Sequence, residues 1–206
     1  MSSNAGYSFT QPGAPLTGVE SMLDIDSRST LTLYLKELEK NPESLEALHN
    51  AGNLYLTLQQ WEEAQKIFER IREHYPEDAE AYNGLGIVYL HKEKLDDAKE
   101  ALLKAIELKS DYADAYTNLG IMYFDSDDVV NGEKVLRTAL EINPESKTAR
   151  NNLEVLLELK VQHKLAARGL LKEIRRPIKD LTPYQNRVTI EVKGKPLSET
   201  IIEERR

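Results

Sequence analysis

The chain has 206 residues, with 40% apolar, 30% charged and no cysteine, a balance that fits a soluble, helix-rich protein. Without cysteine there are no disulfides, thiol nucleophiles or thiolate metal sites, which suits a cytoplasmic setting. The net charge of −8 is unevenly placed: residues 1–159 carry 15 Lys and Arg against 29 Asp and Glu, whereas residues 160–206 carry 12 against 6.

Segment 1–20 is rich in Gly, Pro, Ser, Asn and Gln, has no basic or apolar leader pattern, and is expected to be disordered. Nowhere does the chain approach the ~18 consecutive apolar residues of a membrane span. Residues 21–44 form a degenerate leading helix or half-repeat. In "STLTLYLKELEK" Leu31, Tyr34, Leu35 and Leu38 fall on one helical face, with Asp26, Ser27 or Ser29 as the expected N-cap. "NPES" follows at 41–44 and recurs at 143–146, a separation of 102 residues, which is three times 34.

Laid out at 34 residues, the intervening chain aligns in columns. Ala51, Leu85, Leu119 and Leu153 share one, and Gly52, Gly86, Gly120 and Glu154 the next. Tyr55, Tyr89, Tyr123 and Leu157 follow, then Ala64, Ala98, Gly132 and Ala166, then Phe68, Leu102, Leu136 and Leu170. A corner column holds Pro42, Pro76, Ser110 and Pro144. Each unit reads as two apolar-striped helices: Leu48, Ala51, Leu54 and Tyr55 on the first, Ala64, Ile67, Phe68 and Ile71 on the second. Glycine within a helix costs about 1 kcal/mol relative to alanine, so its recurrence in one column indicates a steric need. One such pair leaves an apolar face bare, and stacking successive pairs buries it.

These columns resemble the tetratricopeptide repeat. A bulky residue (Leu48, Tyr82, Tyr116) is followed by Leu/Ala–Gly, by tyrosine three places on, and by the small, apolar and proline positions of the second helix. The resemblance covers 45–78, 79–112 and 113–146, and implies an all-α, right-handed solenoid of antiparallel helix pairs. Two departures carry expectations: Ser110 in place of proline suggests a less abrupt helix stop, and Gly132 in place of alanine a looser third pair. Over 147–176 the pattern persists without Gly, Pro or Asn near 159–162. It reads as a fourth degenerate repeat or a single capping helix, and columns retained on both sides favour the pair. Residues 177–206 form a mixed tail. Val188, Ile190 and Val192 alternate with polar residues as a strand over 188–192, and Lys193-Gly194 reads as a turn.

Catalytic and metal patterns are missing. His49, His74, His91 and His163 share no ligand spacing, and there is no HExxH, glycine-rich phosphate loop or serine elbow. Asp125–Glu133 fails as a calcium loop because Val129 stands at a ligand position; a polar turn with Asp127 or Asp128 capping the next helix is the better reading. The expectation is a protein that is not an enzyme and uses no cofactor and no metal.

The resemblance implies instead that the first helix of each unit lines a concave groove where an extended peptide or helix of another protein binds. The positions so implied are His49, Asn50, Asn53, Asn83, Ile87, His91, Asn118, Ile121 and Asn152. Asparagine offers both donor and acceptor to a peptide backbone, although the same residues can serve helix packing. Family members that clamp acidic chaperone C-termini use Lys and Asn where this chain has His49 and Asn53, Asn where it has Gly84, and Lys with Arg where it has Asp114 and Asn118. That ligand class is therefore disfavoured, and neutral or basic peptides fit better. Two alternatives are self-assembly through the solenoid ends, giving a homo-oligomer, and nucleic-acid or acidic-partner binding through Lys160, Lys164, Arg168, Lys172, Arg175, Arg176 and Lys179. The acidic array weighs against nucleic acid.

Overall fold

The computed structural model describes residues 22–171, 173–174, 191–192 and 195–196. Its helices are α1 (Met22–Lys40), α2 (Leu45–Thr57), α3 (Trp61–His74), α4 (Ala79–His91), α5 (Leu95–Leu108), α6 (Ala113–Asp125), α7 (Val129–Ile142) and α8 (Lys147–Ala167). Each packs on the next, so α2–α3, α4–α5 and α6–α7 are antiparallel pairs stacked into an α-solenoid, with α1 and α8 at its ends. Short segments β1 (Glu191–Val192) and β2 (Lys195–Pro196) pair antiparallel, Glu191 opposite Pro196. The expected disorder of 1–20, the start of the strand at 188–190 and the turn at 193–194 lie outside the described residues.

The glycine column is where the two helices of a pair come closest. A Cβ on Gly86 would lie 2.6 Å from Leu102, and one on Gly120 2.5 Å from Leu136. Phe68 occupies this place in the first pair and is wedged further. Its ring would meet a Cβ on Gly52 at 2.8 Å and one on Gly84, in the next repeat, at 2.6 Å. Phe68, Leu102 and Leu136 are all buried, and Ala64 and Ala98 of the small column are fully so.

Helix starts follow side-chain capping. Ser44, Asp78 and Ser146 accept hydrogen bonds from the backbone N–H of Ala47, Ala81 and Ala149, and Asp128 caps α7 through Asn131. The turn inside each pair is also repeated. Gln59, Glu93 and Asp127 adopt φ of 57°, 56° and 63°, while Gln60, Lys94 and Asp128 donate back to the carbonyls of Tyr55, Tyr89 and Tyr123. This is a left-handed helix terminus built without glycine. An L-residue there costs about 1–2 kcal/mol, partly offset by glycine's greater entropy loss on folding. Replacing exposed Gln59 and Glu93 with Gly is therefore expected to stabilise the fold by about 0.5–1 kcal/mol each. Thermal unfolding checks this, and an unchanged or lowered midpoint in both variants would refute it.

Four expectations need correction. First, α1 starts at Met22, so Asp26, Ser27 and Ser29 lie inside the helix, beyond the place of an N-cap. Polar residues are tolerated in its exposed interior, where Thr32 Oγ1 bonds back to the Arg28 carbonyl at 2.9 Å. Second, Ser110 does not soften the end of α5. Lys109 leaves the helix with its N–H still bonded to Ala105, as Tyr75 does to Ile71 and Asn143 to Ala139. The stop is set by this common backbone geometry, without the proline.

Third, the α6–α7 pair is not loose, because Leu156 of α8 fills the space over Gly132; a Cβ there would sit 2.8 Å from its Cδ1. Fourth, α8 runs unbroken through 159–162 instead of folding into a helix pair. Its glycine-column residue is Glu154, where Gly52, Gly86 and Gly120 of the pairs have no room for a Cβ. Glu154 and Arg150 of the bulky column are exposed, while Ala149, Leu153, Leu156 and Leu159 are buried. Among the described residues the helix thus ends the stack of pairs. Glu133 fastens it, accepting from Lys160 at 2.5 Å and Arg137 at 2.8 Å. Burial pushes the Glu133 carboxyl up, but these two cations overrule it and leave its pKa lowered.

Candidate binding groove

Inner and outer faces of the stack are distinguished by which helices touch. The first helices of successive pairs contact one another, α2 with α4, α4 with α6, and α6 with α8. The second helices, α3, α5 and α7, make no comparable contact, so their row is the splayed, convex one. On that side a cleft of about 610 Å³ opens between α3 and α5, floored by Tyr82, Leu85 and Tyr89 of α4. The concave face belongs to α2, α4, α6 and α8.

At its N-terminal edge the repeats are tied by polar side chains. His49 Nε2 is 3.0 Å from Asp78 Oδ2, and its Nδ1, shielded from solvent, has only Glu80 Oε1 at 3.6 Å, too far for a hydrogen bond. Asn53 Nδ2 donates to Glu80 Oε1 at 2.9 Å. One repeat further, Asn118 Nδ2 donates to Asn83 Oδ1 at 2.9 Å, and Asn83 Nδ2 reaches the Tyr112 hydroxyl at 3.5 Å. These bonds connect residues 27–35 apart in sequence, so each joins one inner helix to the next or to its N-cap residue.

The nine positions implied by the resemblance are therefore not equivalent. Asn50, Ile87 and Asn152 are half-buried on the inner helices, and Asn118 is half-buried beside Asn83. Asn83 and Ile121 are buried, so their side chains serve contacts between repeats instead of an open surface. His49 and Asn53 are engaged with Asp78 and Glu80. His91 stands apart at the end of α4, stacked on Trp61 with ring centroids 3.7 Å apart. Gly84, a position compared with the chaperone clamp, is buried under the Phe68 ring.

Tyr112 is a groove residue that residue-by-residue comparison missed. It stands in the N-cap column, where the other repeats have Ser44, Asp78 and Ser146, and makes no side-chain cap. Burial, then the charges of Glu80 and Asp114, push its hydroxyl up to about 12, so the group stays neutral. The missing capping residue was the available signal. Lys160, the first of the basic residues considered for nucleic acid, is held by Glu133. Among the described residues no group of three or more His, Asp or Glu is arranged to hold a metal, and no helix is long and apolar enough to cross a membrane.

The family model described as tetratricopeptide repeat matches residues 49–113 and again 92–147. Over residues 49–147 the chain is similar to the tetratricopeptide repeat family. No curated protein matches it in sequence. Among solved structures, this chain is similar to MamA (23% identity, over 73% of this chain and 91% of that one, TM-score 0.56). It is also similar to TTC0263, a thermophilic tetratricopeptide repeat protein of Thermus thermophilus (21% identity, 70% and 84% covered, TM-score 0.61). A third is the first repeat domain of Spaghetti (RPAP3) bound to the HSP90 peptide SRMEEVD (21% identity, 55% and 90% covered, TM-score 0.52). At these identities the likeness is one of fold.

Proposed function

We propose that this protein is a non-enzymatic interaction module that holds an extended or helical segment of another protein on its concave face, and so helps to assemble a complex. The observation carrying this reading is the inner row of helices and its polar side chains. Asn50, Asn118 and Asn152 stand at its surface, on helices fixed to one another by bonds between repeats. Held donors and acceptors lose little freedom when a ligand pairs with them, which is the physical basis of preorganised binding. A protein of the same fold holds a peptide in its solved structure, which supports a peptide as the ligand type.

Photo-cross-linking tests the proposal. A benzophenone side chain is placed on the full chain at Asn50 or Asn152, and at exposed Glu100 of α5 as the outer-face control. The expected result in native extract is one shared partner adduct from both inner positions and none from Glu100. Adducts confined to the outer position would overturn it. Lysine-directed cross-linkers are poorly suited, because α2, α4 and α6 contain no lysine.

A further inference from the structure

Within the three repeats the charged residues are sorted by face, whereas α8 carries Lys147, Arg150, Lys160 and Lys164. Helices α2, α4 and α6 contain no Lys or Arg at all; their charged side chains are Glu46, Glu80, Asp114 and Asp125, besides His49 and His91. Each outer helix, by contrast, mixes both signs: Lys66, Arg70 and Arg72 on α3, Lys99 and Lys104 on α5, Lys134 and Arg137 on α7. Glu46, Glu80 and Asp114 are 34 residues apart in succession, so they take the same place at the start of three neighbouring inner helices. Glu46 and Asp114 are exposed, and the Glu80 side chain is 44% exposed while Asn53 orients one of its oxygens. Lys109, just before α6, is turned onto the Tyr112 ring, 5.0 Å from its centroid.

We propose that the concave face selects a cationic segment of its partner, with Lys or Arg side chains meeting Glu46, Glu80 and Asp114 in turn. This rests on the groove reading above and adds the chemistry of the ligand. Three carboxylates in a row, with no cation among them on their own helices, give a field that only positive charge neutralises. The partly shielded His49 sits between Asp78 and Glu80, and its Nδ1 lacks a hydrogen-bond partner, so this edge is not internally balanced. The upward shift of the Tyr112 hydroxyl, to which Glu80, Asp114 and Asp78 contribute after burial, has the same sign. Packed helices lie about 8–10 Å apart and an extended chain advances about 3.3 Å per residue. Successive carboxylates are therefore matched by cations about every third residue of an extended ligand.

The test uses the full chain and an array of random 12-residue peptides. The inner variant carries Glu46→Gln, Glu80→Gln and Asp114→Asn. A control carries Glu73→Gln, Glu100→Gln and Glu141→Gln, which removes the same charge from the outer helices. Both are first checked for native helicity by circular dichroism. The expected result is retention of peptides enriched in Lys or Arg at three-residue spacing, weakened about tenfold by the inner variant and less than about twofold by the control. Higher salt should weaken binding in parallel. Equal losses in the two variants would reduce the effect to net charge and overturn the proposal. Retention of neutral or acidic peptides, displaced by a probe cross-linked at Asn50, would overturn it while leaving the groove reading intact. A chain that retains no peptide overturns both.

Discussion

Phe68→Ala is expected to destabilise the fold by about 3–5 kcal/mol, the usual loss for truncating a fully buried aromatic side chain. The ring is the largest side chain in the core, and it touches two repeats at once. It fills the approach to Gly52 in its own pair and to Gly84 in the next. Neither neighbour can extend into the vacated space, because both are glycines. Phe68→Leu, which copies Leu102 and Leu136 in the same column, should cost less than half as much. Urea unfolding followed by circular dichroism measures both. A loss below about 1 kcal/mol for the alanine variant would show that the first two repeats do not depend on this shared side chain. A new early transition in Phe68→Ala would show α1–α3 separating from the rest of the stack, as nearest-neighbour coupling in repeat arrays allows.

The second large effect concerns the cap. Leu156→Ala is expected to cost about 2–5 kcal/mol, because Leu156 is fully buried and seats α8 against Gly132. Gly132→Ala alone should be close to neutral or unfavourable. The gain of about 1 kcal/mol in helix propensity is opposed by a new methyl 2.8 Å from Leu156 Cδ1. With Leu156 already truncated that clash is gone, since the next contact of the added Cβ is an ordinary 3.4 Å to Tyr123. Gly132→Ala should then stabilise. The double-mutant cycle is expected to show coupling of about 1 kcal/mol or more; strictly additive values would mean that α8 does not pack through this pair.

Several features of the fold and groove were legible at 34-residue spacing. The glycine column indicated close helix approach, and the structure gives its cause as Phe68, Leu102 and Leu136 pressing on Gly52, Gly86 and Gly120. Asp127 or Asp128 was expected to cap the next helix, and Asp128 caps α7. Glu154 shows where comparison of the columns stopped short. It stood in the glycine column from the start, and a side chain there is incompatible with a second helix. The apolar residues retained on both sides of 159–162 pointed to a pair because they preserve periodicity, which one long helix satisfies equally well. In the groove, the asparagines are alike in sequence but not in structure. Asn83 is buried between Asn118 and Tyr112, whereas Asn50 stays at the surface.

The two "NPES" corners mark the division between sequence and tertiary structure. The chain turns at Asn41-Pro42 and at Asn143-Pro144, and Ser44 and Ser146 open the next helix through the same local bond, so these two corners were legible in the chain alone. Beyond that bond the corners diverge. The Pro42 carbonyl accepts from Arg70 and the Glu43 carbonyl from Tyr75, residues about 30 positions away, whereas the Pro144 carbonyl accepts from nearby Arg150. Local conformation depends on residues within a turn or two, and a single sequence records it directly. Which asparagine is buried, which glycine is filled from the next helix, and which carboxylates remain on an open face depend on neighbours brought together only by stacking. Only the tertiary structure decided those.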